Sequence, residues 1–507
     1  MRQRGNTRYS QRVSTESDAL DQGQLVMREV SKAPVLAVDL DGTLLRTDTL
    51  VESLVMLARE RPLALGTALL KLARGRAAFK AWVADQTRLD VSALPLNAAL
   101  VDWLRAEHDA ERRLVLVTAA DRGVAESVAA RIGLFDEVMA SDGACNLKGS
   151  TKAEALVARF GTGGFDYAGD AMADRPVWQA ARAGIVVGGA PLQRVARQVA
   201  DVQRVFPPEC SKLTAVLRAL RPHQWVKNLL LFLPLVAAHK VGDVPSLVAA
   251  MLAFVAFGLT ASAVYLLNDL SDLPADRRHP RKRRRPFASG DLPLAKGLLL
   301  IPLLLLAAIS VSLWVLPPVF SGVLGGYLLI TTLYSFLLKR LPILDVMTLA
   351  GLYTIRVIAG AAAIAILPSF WLLAFSMFIF LSLALVKRYT ELADLRERGE
   401  LTAAGRGWHV GDLPLVETLG TAAGMASVLV LALYLDSEPA RRLYATPEAL
   451  WLVCPLLLYW ITRLWFKTHR GEMHDDPIVF ALHDRMSLLI GGLTVMIVAM
   501  ATVGIQA

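Results

Sequence analysis

Cysteine is scarce in this sequence, with 3 among 507 residues. Cys145, Cys210 and Cys454 lie far apart, so they have neither the close spacing of a cysteine metal site nor the density of a disulfide framework. A small disulfide-stabilised secreted fold is therefore excluded, and a reducing compartment suits the soluble part of the chain.

The first 32 residues lack an apolar segment. Arg2, Arg4, Arg8 and Arg12 stand among polar residues there, and a stretch without an apolar core is not a secretory signal. We expect residues 1–32 to form a disordered basic tail.

Motifs that stack on bases or read a nucleic-acid groove are absent as well. The formal net charge of +9 is what basic cytoplasmic loops give to a membrane protein, so it does not require a nucleic-acid partner. We therefore expect no nucleic acid among the partners.

Long apolar runs are missing only from the first part of the chain. Hydrophobic residues make up 54% of the sequence, which is too many for an ordinary soluble protein. Residues 1–212 have an ordinary soluble composition, and nearly all the long uncharged runs follow residue 222. The sequence therefore predicts a soluble part followed by a membrane part.

Polar side chains follow three apolar segments of the soluble part, within the sequences VLAVDLDGT, RLVLVTAA and FDYAGDAMAD. Each apolar segment predicts a buried strand. The carboxyl ends of parallel strands lie at the edge where open α/β sheets bind ligands. The polar residues that these strands would bring together are Asp39, Asp41, Thr118, Asp170 and Asp174.

These segments, with the lysine-containing segment NLKGSTKAEAL between the second and third, resemble the four motifs of the haloacid dehalogenase superfamily of phosphatases. The resemblance implies an α/β Rossmann-like phosphatase domain over residues 33–205. Residues 44 to about 112 show helical spacing and look like a helical cap inserted after the first motif. A cap of that size favours a small phosphorylated substrate.

The same resemblance implies the roles of the motif residues. Asp39 would be the nucleophile that forms an aspartyl-phosphate, and Asp41 the general acid and base. Thr118 would hydrogen-bond the phosphoryl group, and Lys152 would pair with it, with Lys148 as the alternative lysine. Mg²⁺ would be held by Asp39, Asp41, Asp170 and Asp174.

Nine apolar runs of the second part are each near the length needed to cross the hydrocarbon of a bilayer. They predict an all-α bundle of nine transmembrane helices. The runs lie near residues 224–238, 246–267, 293–316, 318–338, 343–367, 369–386, 413–435, 448–466 and 486–505.

Basic residues are concentrated in the loops on one side of this bundle. If the N terminus is cytoplasmic, the loops beginning near Arg277, Lys339, Lys387 and Arg463 all lie inside. The positive-inside rule therefore predicts a multi-pass protein with a cytoplasmic N-terminal part and a C terminus on the outer side.

Three aspartates follow the second apolar run, in the segment NDLSDLPADRRHPRKRRR. Asp269, Asp272 and Asp276 are spaced i, i+3 and i+7, which would place them on one face of a helix. Carboxylates so placed can share divalent cations that hold a diphosphate. The alternative is a solvated loop that follows the positive-inside rule, which explains the basic residues but not the aspartates.

Nine helices with the pattern NDxxDxxxD after the second resemble the UbiA superfamily of intramembrane prenyltransferases, over residues 214–507. The resemblance implies that Asp269 and Asp272 are catalytic and that they and Asp276 bind Mg²⁺ and a diphosphate donor. The second polar motif corresponds to YSFLLKRLPILD, which is more basic than the aspartate-rich motif of many prenyltransferases.

The segments RPHQWVKN, NDLSDLPADRRHPRKRRRPFASG and KRYTEL resemble one branch, the polyprenyl-phosphate phosphoribosyltransferases. In that branch the donor is soluble phosphoribosyl pyrophosphate and the acceptor is a lipid monophosphate. A donor with a pyrophosphate and a 5-phosphate needs many cationic partners. The residues predicted to bind the substrates are Lys227, Asn228, Asn268, Asp276, Arg277, Lys282, Arg285, Tyr334, Lys339, Arg340, Arg356, Lys387 and Arg388.

Arg356 lies inside the fifth apolar run, where an unpaired charge costs about 3 kcal/mol or more. We expect it to face a wet or anionic cavity, with Asp345 as its partner. Four further residues could form a surface ion-pair ladder instead of a donor site, and the sequence leaves both open. They are Lys387, Arg388, Glu391 and Asp394.

Together the two resemblances imply a bifunctional enzyme of the bacterial inner (plasma) membrane. It would transfer 5-phosphoribose from phosphoribosyl pyrophosphate to a polyprenyl phosphate and then remove the 5-phosphate. The alternative is a UbiA-type prenyltransferase that uses an allylic diphosphate, with an independent small-molecule phosphatase. A mere membrane anchor does not explain the aspartates. The lipid chain length and a homo-oligomeric assembly stay open.

Overall fold

The computed structural model describes residues 33–72, 75–142, 145–402, 406–473 and 476–503. The predicted tail, residues 1–32, lies outside the described residues. The chain divides into two compact units between Pro208 and Glu209. That junction falls between the predicted end of the soluble domain at 205 and the predicted start of the membrane domain at 214.

Six parallel strands form one sheet in the first unit, in the order β3-β2-β1-β4-β5-β6. The predicted parallel sheet of an α/β fold is confirmed. The strands are β1 (Val35–Val38), β2 (Leu114–Asp121), β3 (Glu137–Ser141), β4 (Phe165–Gly169), β5 (Ala183–Val187) and β6 (Asp201–Phe206).

Both faces of this sheet are covered. Leu36 and Val38 of β1 belong to one buried apolar cluster, whereas Ala37 between them belongs to another, as the alternation of a strand requires. The central strand β1 is flanked by β2 and β4, so the chain reverses its direction of winding there. The crevice at the carboxyl ends of such strands is where open α/β sheets bind ligands.

The described residues of this unit also form eight α-helices and two 3₁₀ helices. Helices α1 to α3 pack against one another, whereas Leu100 and Leu104 of α4 belong to an apolar cluster of the sheet. The predicted cap, residues 44 to about 112, stays a prediction, and we refer to helices α1 to α3 within it as the cap. The helices are α1 (Thr49–Glu60), α2 (Ala64–Leu72), α3 (Arg76–Gln86), 3₁₀ Val91–Ala93, α4 (Ala98–Asp109), α5 (Arg122–Ile132), α6 (Ser150–Phe160), 3₁₀ Met172–Asp174, α7 (Arg175–Ala180) and α8 (Ala190–Val199).

The second unit is built from helices in its described residues, with one isolated antiparallel bridge between Thr402 and His409. The longer helices are separated by short α-helices and by 3₁₀ helices. The helices are α9 (Lys212–Leu220), 3₁₀ Pro222–Phe232, α10 (Leu233–Ala237), α11 (Val244–Ser271), α12 (Leu273–Arg278), 3₁₀ Lys282–Arg284, α13 (Leu294–Val315), α14 (Pro318–Phe336), 3₁₀ Leu338–Arg340, α15 (Pro342–Ala363), α16 (Phe370–Glu397), 3₁₀ Val410–Asp412, α17 (Leu413–Leu435), α18 (Glu438–Leu443), 3₁₀ Pro447–Leu452, α19 (Val453–His469), α20 (Pro477–His483) and α21 (Arg485–Val503).

Eight helices of the described residues are long and apolar enough to cross a membrane, so the predicted count of nine is corrected. The run 224–238 folds as the 3₁₀ helix Pro222–Phe232 followed by the five-residue α10. Pro234 lacks the N–H that a continuous helix needs. Lys227 and Asn228 also make polar contacts inside the unit, with Asp476 and Arg356 respectively.

Gly360 of α15 lies directly against the 3₁₀ helix Pro222–Phe232. A Cβ at Gly360 would be 2.0 Å from the backbone carbonyl oxygen of Leu231. Because a backbone atom cannot move aside as a flexible side chain can, this close approach requires glycine.

Gly360→Ala should therefore destabilise the protein by about 1–3 kcal/mol, the usual cost of overpacking. The measurement is the apparent melting temperature of the purified full-length protein in detergent. Gly351→Ala is the matched control, because Gly351 lies in the same helix and, apart from the backbone of that helix, no described atom lies within 4 Å of its added Cβ. Equal melting temperatures for the two variants would contradict the packing described here.

Candidate functional site

Three carboxylates meet at the carboxyl edge of the sheet in the first unit. Asp39 directly follows β1, Asp170 directly follows β4, and Asp174 ends the short 3₁₀ helix beyond it. Their ligand atoms lie within 4.8 Å of one another, and Asp39 and Asp174 are buried. The sheet topology therefore brings together residues that are separated by more than a hundred positions in the chain.

Lys152 lies among these carboxylates and is also buried. Its Nζ is 2.8 Å from Asp39 Oδ1 and donates to the hydroxyl of Tyr167 at 3.1 Å, which in turn donates to Asp174 Oδ1 at 3.0 Å. Burial disfavours the ammonium, but Asp39 and Asp174 outweigh it and raise the pKa of Lys152. Of the two candidate lysines, Lys152 is the one paired with Asp39.

Asp41 points into the same cavity from the loop after β1. It accepts hydrogen bonds from the backbone N–H of Thr49 at 2.9 Å and from the Thr49 hydroxyl at 3.3 Å. Burial, with the nearby charge of Asp48, raises the pKa of Asp41 to about 7. A carboxyl group with that pKa can both give and take a proton near neutral pH.

Position 42 requires glycine for two reasons, its backbone conformation and the close approach of a neighbouring side chain. Its φ of +79° is a conformation that other residues rarely adopt, and a Cβ there would lie 2.1 Å from Asp170 Oδ2. The turn DLDGT therefore allows Asp170 to approach the loop that carries Asp39 and Asp41.

The acidic cluster fits a hard divalent cation such as Mg²⁺. Carboxylate oxygens are the ligands that Mg²⁺ prefers. Burial, together with the charges of Asp39 and Asp174, raises the pKa of Asp170 well above its usual range. Negative charge is therefore in excess at this point, which a cation would relieve. Asp39, Asp170 and Asp174 are the residues that would hold it.

A cavity of about 440 Å³ lies over this cluster, between the cap and the sheet. Thr118 of β2 is fully buried in its wall and accepts a hydrogen bond from the backbone N–H of Ala120. Lys80 of α3 and Lys148 also line the cavity. A cavity with one acidic cluster and several lysines can hold a small anionic molecule.

In the second unit, arginines bridge two of the three motif aspartates. Arg221 contacts both oxygens of Asp269, at 2.6 and 2.8 Å. Arg285 contacts Asp269 at 3.0 Å and Asp276 at 2.6 Å. Asp272 stands apart, with 48% of its side chain exposed and Lys339 at 3.8 Å.

The prediction that Asp269, Asp272 and Asp276 lie on one face of a single helix is corrected by the structure. Helix α11 ends at Ser271, and α12 begins at Leu273 with Pro274 in its first turn, because proline cannot continue the preceding helix. Among the described residues, the three motif aspartates do not form a group close enough to share one metal ion. Mg²⁺ binding by these three stays a prediction.

Asp476, which the sequence patterns did not identify, contacts two of the predicted cations. Its carboxylate is 2.7 Å from Lys227 Nζ and 3.5 Å from Lys387 Nζ, and accepts from the hydroxyl of Tyr353 at 3.3 Å. Burial opposes its ionisation, but Lys387 and Lys227 outweigh burial and lower the pKa of Asp476 to about 2. The carboxylate is therefore a permanent counter-charge for both lysines.

Arg356 is buried beside this group. It donates to Asn228 Oδ1 at 3.0 Å and to the hydroxyl of Tyr327 at 3.1 Å, and its guanidinium lies 5.9 Å from the ring centre of Tyr353. The expected ion pair between Arg356 and Asp345 is wrong. Among the described residues no carboxylate lies within 4 Å of the Arg356 guanidinium, so this buried cation is satisfied by neutral groups.

Asp345 instead belongs to a separate buried network. It contacts Arg388 at 2.6 Å and accepts from Tyr334 at 2.9 Å and from the Trp408 indole at 2.7 Å. Arg388 has no exposed side-chain surface and also contacts Glu391. Because Arg388 and Tyr334 are both paired with Asp345, we leave them out of the proposed donor site.

The remaining predicted residues lie nearer to solvent. Asn268 and Arg277 are half-buried, and Lys282 and Arg340 are exposed. Their roles stay predictions.

Asp476→Ala should lower the apparent melting temperature of the full-length protein, because Lys227 would be buried without its counter-charge. Breaking a buried ion pair in this way costs about 3–5 kcal/mol. Asp436→Ala is the control, since its ion pair with Arg441 is 71% and 63% exposed and exposed pairs contribute little. A similar change in both variants would show that Asp476 is not the counter-charge described.

The comparisons with known proteins include one relative matched over nearly the whole chain and others matched over about half of it. The model of the UbiA prenyltransferase family matches residues 229–489. Uncharacterized protein y4nM of Sinorhizobium fredii is 38% identical over 466 residues, covering 91% of this chain and 90% of that protein. The decaprenyl-phosphate phosphoribosyltransferase of Mycolicibacterium smegmatis is 32% identical over 295 residues, covering 56% of this chain and 92% of that protein.

Among solved structures, a UbiA homolog from Archaeoglobus fulgidus bound to GPP and Mg²⁺ matches 56% of this chain and 99% of its own, with 14% identity and a TM-score of 0.43. The family match covers just over half of the chain, and the Mycolicibacterium relative is matched over nearly its whole length. The chain belongs to the UbiA prenyltransferase family.

Proposed function

We propose that the second unit transfers 5-phosphoribose from phosphoribosyl pyrophosphate to a polyprenyl phosphate. We further propose that the first unit is a haloacid dehalogenase-like phosphatase that removes the 5-phosphate from the lipid-linked product. The final product is a polyprenyl-phosphate ribose.

The observation that carries the transferase proposal is the group of cations around Asp476. Lys227 and Lys387 share one carboxylate, and Arg356 beside them has neutral partners, so the group has more positive than negative charge. A donor with a pyrophosphate and a 5-phosphate can supply the missing negative charge. The similarity to proteins named decaprenyl-phosphate phosphoribosyltransferase supports the same donor.

In the proposed transfer, an oxygen of the lipid phosphate forms a bond to C1 of the ribose. The bond between C1 and the pyrophosphate oxygen breaks, and pyrophosphate leaves with the bonding electron pair. Lys227, Lys387 and Arg356 would stabilise the charge that develops on the leaving group. Arg221 and Arg285 would hold Asp269 and Asp276 in place.

In the proposed hydrolysis, a carboxylate oxygen of Asp39 attacks phosphorus, and the ribose 5-oxygen leaves with a proton from Asp41. Asp41 then takes a proton from water, which attacks the aspartyl-phosphate and releases inorganic phosphate. Lys152 and Thr118 would position the phosphoryl group. Mg²⁺, when bound, would reduce the repulsion between the carboxylate and the phosphate.

The two activities on one chain would act in sequence on a lipid that stays in the membrane. We place both on the cytoplasmic side of a bacterial inner membrane, with a C terminus on the outer side. Covalent linkage keeps the phosphatase at a high effective concentration near the product of the transferase. Removal of the 5-phosphate would make the transfer hard to reverse.

Asp39→Asn should stop the phosphatase step and leave the transfer, because the nucleophile is lost while the second unit is unchanged. Asp269→Asn should stop the transfer and leave the phosphatase step. We would assay each purified full-length variant for transfer of labelled ribose to polyprenyl phosphate and for Mg²⁺-dependent hydrolysis of ribose 5-phosphate. A loss of about 100-fold or more is expected for hydrolysis in Asp39→Asn, which lacks the nucleophile, and for transfer in Asp269→Asn, which lacks a predicted catalytic carboxylate.

Each variant serves as the folding control for the other, since each should keep one full activity. In Asp39→Asn the labelled lipid should carry one phosphate more than in the wild type. If both substitutions abolish the same activity and spare the other, the assignment of one reaction to each unit is wrong.

A further inference from the structure

The cavity of the first unit contains more lysine than one phosphoryl group needs. Lys152 pairs with Asp39, the predicted nucleophile. Lys80 and Lys148 line the same cavity but have no carboxylate within 4 Å among the described residues. The proposed hydrolysis uses neither of them.

Lys80 reaches across the cavity from the cap. Its Nζ donates to the backbone carbonyl oxygen of Ala119 at 2.7 Å and to Asn146 Oδ1 at 3.1 Å. An ammonium group has three N–H donors. Two of them have neutral acceptors, and the third has no partner among the described residues. Burial lowers the pKa of Lys80, so the charged form would gain from a nearby anion.

Lys148 adds a second cation to this part of the cavity. It lies two residues after Asn146, and its side chain makes no hydrogen bond or ion pair with the described residues. Burial is the main cause of the lowered pKa of Lys80, and the charges of Asp41 and Asp48 oppose it, while the charge of Lys148 adds to it. Two nearby ammonium groups, neither with a carboxylate within 4 Å among the described residues, form a place where an anionic ligand is favoured.

The carboxylates of the cavity have hydrogen-bond partners other than Lys80 and Lys148. Asp48 and Asp121 accept from backbone N–H groups at the starts of α1 and α5. Asp41 accepts a hydrogen bond from the backbone N–H of Thr49, and Asp170 accepts one from the hydroxyl of Thr43 at 3.2 Å. Among the described residues, Lys80 and Lys148 are therefore the cations of the lining that have no direct carboxylate partner.

We propose that Lys80 and Lys148, with Asn146 positioning Lys80, form a second anion-binding subsite that receives a phosphodiester on the anomeric carbon of the sugar phosphate. This rests on the proposed phosphatase function and specifies its substrate class. The substrate would place its terminal phosphate at Asp39 and its diester at Lys80 and Lys148. A sugar phosphate with one anionic group would leave the subsite empty.

The test compares two synthetic substrates with the purified full-length protein. One is ribose 5-phosphate with a methyl phosphodiester at C1, and the other is methyl riboside 5-phosphate, which is neutral at C1. Release of inorganic phosphate gives kcat and KM for each. The wild type should prefer the diester by about 10-fold or more in kcat/KM, mainly through KM, as expected for one charge-assisted hydrogen bond.

Lys80→Gln and Lys148→Gln should reduce this preference, and Lys80→Arg should retain most of it. Lys71→Gln is the matched control, because Lys71 is a lysine of the same cap that does not line the cavity. If Lys80 only held the cap in place, its substitution would slow both substrates equally. Hydrolysis of the neutral substrate by each variant also reports that its active site is folded.

Equal kcat/KM for the two substrates with the wild type would overturn the subsite and leave the phosphatase proposal intact. An unchanged preference in both lysine variants would do the same. If the wild type hydrolyses neither substrate, the phosphatase proposal fails and the subsite fails with it.

Discussion

Buried charge must be balanced, and this constraint organises both units of the protein. In the helical unit, Asp476 holds Lys227 and Lys387, and Arg221 and Arg285 hold Asp269. In the sheet unit, Lys152 holds Asp39. Water cannot reach such groups freely, so each needs a partner from the protein or from a ligand. The groups whose charges are not fully balanced are the ones to which we assign function.

The two units have excess charge of opposite sign at their candidate sites. At the carboxyl edge of the sheet the excess is negative, which suits a divalent cation and, through it, a phosphate. Around Asp476 the excess is positive, which suits a polyanionic donor directly. Under the proposed function, this difference would let one chain carry out phosphate chemistry in two ways. A carboxylate nucleophile needs a cation beside it, whereas a leaving pyrophosphate needs cations around it.

The sequence predicted features that depend on local periodicity. The strands before Asp39 and Asp170 could be read from short apolar segments, and their common edge follows from parallel topology. The end of α11 before Pro274 was also readable, because proline interrupts a helix, although the aspartate spacing suggested one continuous face. Asp476 could not be predicted, since its contacts with Lys227 and Lys387 join residues 249 and 89 positions apart. The partners of Arg356 were missed for the same reason.

The central claim is that the helical unit uses phosphoribosyl pyrophosphate as its donor. The most direct measurement incubates the purified protein with polyprenyl monophosphate, Mg²⁺ and donor labelled separately in the ribose and in the β-phosphate. The ribose label should enter the lipid fraction while the β-phosphate label stays in water as pyrophosphate. No ribose label in the lipid, together with transfer from an allylic diphosphate to another acceptor, would contradict the claim.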